Sequence, residues 1–201
     1  MTRFNKAAAR PAAGHGIVGR LRRRRACLPP SLASLVPADG RVLGSVPLAD
    51  DGPRWAVATP RFLTLLGPEG VQVHRGWHEV EHGRWDADSS TFTLSWCDDS
   101  PPLVLVVPAQ IKQGEGTASV DVAPFARALR QRVESALVYS VTGKLPSGLQ
   151  ATVSVRRDSG GRLYTASNLP PSRAERLDDG DRAALEELLR RARDGVGLPT
   201  D

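Results

Sequence analysis

The sequence predicts an α+β fold: short antiparallel strands capped by a helix, followed by a C-terminal β-hairpin and a second helix. Three observations carry this expectation. Apolar alternations of strand length recur between residues 41 and 107, clear turn signals separate them, and two later segments carry apolar residues at helical spacing. A chain of 201 residues, 40% of them apolar, is long enough to bury one substantial core or two small ones.

Residues 41–48, 54–66, 71–85, 91–97 and 103–107 read as strands or strand pairs. Between them stand Asp50, Asp51, Gly52 and Pro53, then Gly67, Pro68 and Gly70, then Asp86 and Asp88, then Asp98, Asp99 and Pro101, all residues that bend the backbone. In residues 91–96, period-2 alternation puts Phe92, Leu94 and Trp96 on one face and Thr91, Thr93 and Ser95 on the other, so this strand has one wet side. After a loop at Gly114 and Gly116, Pro124 stands where a helix begins. Phe125, Leu129, Val133 and Leu137 then recur at helical spacing. Residues 137–142 turn β-like, and residues 149–155 and 162–167 form a hairpin whose reversal is assigned to Gly160 and Gly161. Residues 181–194 close the chain as a helix with Leu185, Leu188, Leu189 and Ala192 as its apolar stripe, and with Glu186–Arg190 and Glu187–Arg191 as i,i+4 pairs.

The formal charge of +5 is unevenly distributed. Arg3, Lys6, Arg10, Arg20, Arg22, Arg23, Arg24 and Arg25 face no carboxylate within the first 25 residues, which leaves the rest of the chain with 19 basic against 22 acidic groups. Residues 1–37, rich in Ala, Arg, Gly and Pro, read as a basic disordered tail; 38–140 as the main β domain with its closing helix; and 141–201 as a hairpin and helix packed upon it. Arg20, Arg22, Arg23, Arg24 and Arg25 are the candidate contacts for a polyanion or an anionic membrane surface. No apolar run reaches the length of a membrane span, Pro29 and Pro30 interrupt the apolar stretch an export signal needs, and two cysteines form no disulfide framework. A cytoplasmic location is expected.

The motifs that invite chemistry stand in poor contexts for it. Gly14, Gly16 and Gly19 match a dinucleotide fingerprint, but no strand precedes them and an arginine run follows. His74, His78 and His82 would align on a helix, yet their surroundings read as extended chain. Residues four apart in a strand lie about 13 Å from each other, too far to share a metal. Trp55, Trp77, Trp85 and Trp96 fall within predicted strands and read as core. The paired aspartates at 86 and 88, 98 and 99, and 178, 179 and 181 sit at turns or ahead of a helix, where Asp caps the backbone. No nucleophile elbow or phosphate loop is present, and no cofactor is expected.

Three stretches together resemble a known family. Arg41, Val42, Leu43 and Gly44 open a first strand; residues 55–63 read Trp-Ala-Val-Ala-Thr-Pro-Arg-Phe-Leu; and Gly76, Trp77, His78, Glu79 and Val80 form a later step. This pattern resembles actinobacterial proteins that open with a pleckstrin-homology-like domain, over residues 41–138. The resemblance implies a curled antiparallel β-sheet or barrel capped by a helix, with binding or scaffolding as its function and an unspecified protein partner; it carries over no site residue. The expectation is therefore a binding or scaffold protein without a catalytic site. One alternative is an enzyme whose site is dispersed along the chain. Another is RNA binding through an α-β-β-β-α unit built from the two helices and the strands between them, a reading that the acidic opening at Asp178, Asp179 and Asp181 disfavours.

Overall fold

In the computed structural model, which describes residues 24–37, 41–48, 54–98 and 100–199, the chain enters through a one-turn helix, α1 (Pro30–Ala33). The first apolar run becomes β1 (Gly44–Pro47), β2 (Trp55–Ala58), β3 (Phe62–Gly67) and β4 (Gly70–Gly76), an antiparallel sheet in sequential order. A 3-10 turn, Trp77–Glu79, leads into a second antiparallel sheet of β5 (Val80–Asp86), β6 (Thr91–Trp96) and β7 (Leu103–Val106). A small hairpin, β8 (Gln110–Gln113) and β9 (Gly116–Ser119), follows, its turn falling at the loop expected at Gly114 and its two strands not read from the sequence. Next come α2 (Ala123–Ala136), a third sheet of β10 (Leu137–Lys144), β11 (Gln150–Arg157) and β12 (Leu163–Ser167), a short α3 (Pro171–Ala174) and α4 (Asp179–Asp194). The α+β class is as the sequence predicts, but the strands remain in separate sheets and close no barrel among the described residues.

The first core lies where α2 covers both early sheets. Phe125, Ala128 and Leu129 of α2 are buried against Val46, Ala58, Leu63, Phe92 and Leu94. Phe92 meets Phe125 edge to face at 5.1 Å and lies 4.3 Å from Trp85, and full burial of rings of this size contributes about 1.5–3 kcal/mol each. Gly44 permits the contact: a Cβ there would sit 2.5 Å from the backbone nitrogen of Phe125. Trp55, Trp77 and Trp96 are buried and Trp85 is half-buried, with the Trp77 indole donating to the Thr59 carbonyl at 2.9 Å and that of Trp96 to the Pro101 carbonyl at 3.1 Å. Leu137, expected on the helix stripe, is instead the first residue of β10, 42% exposed, because the backbone turns extended there to pair with Arg156.

The second core lies between α4 and the third sheet. Leu185, Leu188 and Ala192 pack on Ala151, Val153 and Val155, which alternate along β11. Asp178 caps α4 by accepting from the Asp181 amide at 2.7 Å, and the Asp181 carboxylate is itself buried, accepting from the Ser147 amide at 2.9 Å. Along α4, Arg190 pairs with Glu187 one turn back, in place of the i,i+4 pairing with Glu186 that the spacing predicts. At the β11–β12 reversal only Gly161 takes positive φ, at +87°. The role expected of Gly160 belongs to Asp158, whose Oδ1 accepts from the amides of Gly160 and Arg162 at 2.8 and 2.9 Å. The C-terminal unit thus starts at residue 137, directly after α2, and holds three strands.

Residues 24–36 correct the expectation of a disordered tail running to 37. Leu32 is buried on Trp55, Val57 and Leu66, with Ala26, Leu28 and Val36 packed around it, on the face of the first sheet opposite α2. Every residue of β2 is buried, because one face meets α2 and the other this segment.

Candidate functional site

A cleft of 720 Å³ separates the first two sheets from the third. One wall comes from the end of β4 and the turn after it, with Arg75, His78 and Glu79, together with Cys97 and Asp98 just past β6; the other is the whole of β12, with Leu169 and Pro171 beyond it. Cross-strand neighbours on β11 and β12 tie the walls together. Arg156 Nη1 donates to the carbonyls of His78 and Val80 at 2.9 and 2.6 Å, and the Tyr164 hydroxyl donates to the same His78 carbonyl at 2.7 Å. Arg156 is buried, has no carboxylate partner among the described residues, and leaves Nε without a hydrogen bond, so the two carbonyl contacts hold a desolvated charge.

The polar groups of the first wall are committed to one another. Arg75 donates from Nε to Glu79 at 2.7 Å and from Nη2 to Asp98 at 2.5 Å, and its guanidinium lies 4.4 Å from the Trp96 ring centre. The hydrogen bond from Arg75 holds the Asp98 carboxyl at about 2. Burial pushes the Cys97 thiol up, and its sulfur contacts the His78 carbonyl at 3.7 Å. Burial likewise pushes Tyr164 up to about 12. The thiol, the phenol and the carboxylate are each moved away from proton transfer near neutrality.

What the cleft offers is backbone. Register pairs Tyr164 with Arg156 and Ala166 with Ser154, and the flanking bonds from the Asp158 amide to the Arg162 carbonyl and from the Asn168 amide to the Thr152 carbonyl fix the hydrogen-bonded positions. In an antiparallel ladder these alternate, so Tyr164 and Ala166 spend their backbone groups on β11, while Leu163, Thr165 and Ser167 point theirs away from it. No strand lies on that side of β12 among the described residues.

Of the residues that the sequence singled out, His78 and Asp98 line this cleft, and the others lie elsewhere. Arg20, Arg22 and Arg23, the glycine motif at 14–19, Asp50, Asp51 and Asp99 fall outside the described residues. Arg24 and Arg25 run beside β9: the Arg24 carbonyl accepts from the Ser119 amide at 2.9 Å, and Arg25 pairs with Asp121 at 3.0 Å, so Arg25 already has an acidic partner. His74 is on β4 with its ring stacked on Phe62 at 4.3 Å, His82 is on β5, and His78 lies in the 3-10 turn where extended chain was expected. Among the described residues no group of His, Cys, Asp and Glu is arranged to hold a metal, and no helix is long and apolar enough to cross a membrane. Arg75, Arg156, Tyr164 and the edge of β12 were not singled out from sequence. The His78–Tyr164 hydrogen bond that joins the two sides of this site links residues 86 positions apart in the chain. The one available signal was an arginine at an even position of a hairpin strand, opposite the face that carries the valines. No family model, curated protein or solved structure matches this chain.

Proposed function

We propose that this chain is a non-catalytic binding protein that captures an extended segment of a partner protein along the free edge of β12, with residues 44–136 serving as a pleckstrin-homology-like scaffold. The observation that carries the reading is the position of that edge, which lies with outward N–H and C=O groups along the 720 Å³ cleft. An added strand satisfies such groups through main-chain hydrogen bonds, while side-chain pockets set its selectivity. Leu163, Leu169 and Pro171 supply apolar contact, and the paired charges around Arg75 rim it. The scaffold reading is supported by the succession of a four-stranded sheet, a three-stranded sheet and a covering helix. Cys27 and Cys97 are both free thiols, which fits a reducing compartment and hence the cytoplasm. The cations of residues 1–25 add a sequence-nonspecific attraction to anionic surfaces in this reading.

The test is selection of peptides from a random display library against the full chain, followed by titration against a Thr165→Pro variant. Proline removes the outward N–H at Thr165 yet is tolerated on a strand edge. Selected peptides are expected to bind at least about tenfold more weakly to the variant, the cost of one or two lost hydrogen bonds. Equal binding would remove the β12 edge from the account.

A further inference from the structure

A second, smaller cavity lies on the other side of the interface. It measures 160 Å³, room for roughly five water molecules at about 30 Å³ each, which is the scale of a phosphate group and the start of its ester. Three arginines from three separate elements reach it: Arg61 from the turn between β2 and β3, Arg132 from α2, and Arg157 from the end of β11. Ser135 and Ser159 add hydroxyls.

The charge here is unbalanced. None of the three arginines has a carboxylate within ion-pair distance among the described residues, and Arg132 Nε is buried with no hydrogen-bond partner. Arg157 reaches only the Gly161 carbonyl, at 3.5 Å. The one carboxylate in the lining, Asp158, is already occupied by Arg162 Nε at 2.9 Å and by the amides of Gly160 and Arg162; the Arg162 amide bond leads the effects that hold it below the usual carboxylate range. Three guanidinium groups lining one small pocket, one of them with a buried Nε, repel one another unless an anion joins them, and guanidinium geometry matches phosphate oxygens two at a time.

We infer that this pocket binds a phosphate monoester, held by Arg61, Arg132 and Arg157. It shares only the wall at His78 and Asp158 with the cleft along β12, and either assignment can fail without the other. The dianion neutralises most of the excess charge, the Ser159 hydroxyl can donate to a remaining oxygen while that of Ser135 is spent on the Gln131 carbonyl, and the ester substituent leaves through the open mouth. Because Arg61 sits on the first unit and Arg157 on the second, an occupied pocket also strengthens their contact.

The experiment is a titration of the isotope-labelled full chain with inorganic phosphate and with glycerol 3-phosphate, followed by amide NMR. A parallel arm measures co-sedimentation with phosphatidylcholine vesicles containing phosphatidic acid, which carries the same monoester on a lipid. Parent protein is compared with R61Q/R157Q, whose changes fall at exposed positions, and with R132Q, each first checked for an unchanged fold by circular dichroism. The expected result is saturable shifts at the Ser135 and Ser159 amides that weaken at least about tenfold in R61Q/R157Q, as loss of two charge-assisted contacts implies. Variant-sensitive binding in the soluble arm assigns a free phosphate ester, and variant-sensitive binding in the vesicle arm assigns a headgroup. The basic N-terminal residues are the same in parent and variants, so binding that is equal in both overturns the pocket, as does the absence of binding in both arms.

Discussion

The core beneath α2 is organised around aromatic rings, whereas the core beneath α4 has none among its buried side chains. The first joins two sheets and a helix through Phe92, Phe125, Trp77 and Trp96; the second is a single helix laid on three strands through alanine, valine and leucine. The opposite face of that third sheet is polar, with Thr152, Ser154 and Arg156 turned toward the first unit, so the two units meet across cavities rather than through a shared apolar core. Burial alone accounts for the first unit. The second depends in addition on a buried arginine that reaches the His78 and Val80 carbonyls, and that arrangement leaves room for ligands at the junction.

The largest expected effect is in the aromatic core. Phe125→Ala should cost about 3–5 kcal/mol and unfold the first unit in chemical denaturation, whereas Val153→Ala beneath α4 should cost only about 1–2 kcal/mol. Equal costs would mean that the two cores do not differ as described. Next comes the clamp: Arg156→Ala takes the arginine donor from the Val80 carbonyl and leaves the His78 carbonyl to Tyr164, and should cost about 2–3 kcal/mol, splitting thermal unfolding into two calorimetric transitions. A single unshifted transition would show that the clamp does not couple the units.

Leu32→Ala should cost about 2 kcal/mol by opening the face of β2 away from α2, a loss that a free tail could not produce. The smallest effect is the acid dependence at Asp98. Its pKa of about 2 lies below the ordinary value of 3.8, so its stabilising contribution is complete above about pH 4 and is lost as pH falls through about 2. Because Asp98 is exposed, the pair is worth less than about 1 kcal/mol, and Asp98→Asn should flatten the stability curve between those values by that amount.

The same contrast explains what could be read from sequence. Strands with one wet face, such as Thr91–Trp96, and helices with a regular stripe, such as Ala123–Ala136, declare themselves because burial imposes their period. The hairpin of β8 and β9 did not, since Ile111 and Ala118 are its only clearly apolar inward positions. Residues 24–36 were obscured by Pro29 and Pro30, although Leu28, Leu32 and Val36 repeat every four positions. The continuous apolar run of β2 could have revealed that something covers its second face. The junction was illegible for another reason. Arg156 and Tyr164 act through contacts made only when distant segments meet, as does Arg75 toward Asp98, and nothing local marks them.

The central claim is that the edge of β12 accepts a strand. Amide hydrogen exchange, measured residue by residue on the full chain with and without a peptide selected by display, tests it most directly. In the free protein the Tyr164 and Ala166 amides should be protected by β11, with Leu163, Thr165 and Ser167 exchanging quickly. Added peptide should slow exchange at those three alternate positions and leave the other two nearly unchanged. Protection gained at β7 instead, beside the exposed Val104 and Val106, or at no position from 163 to 167, would contradict the account.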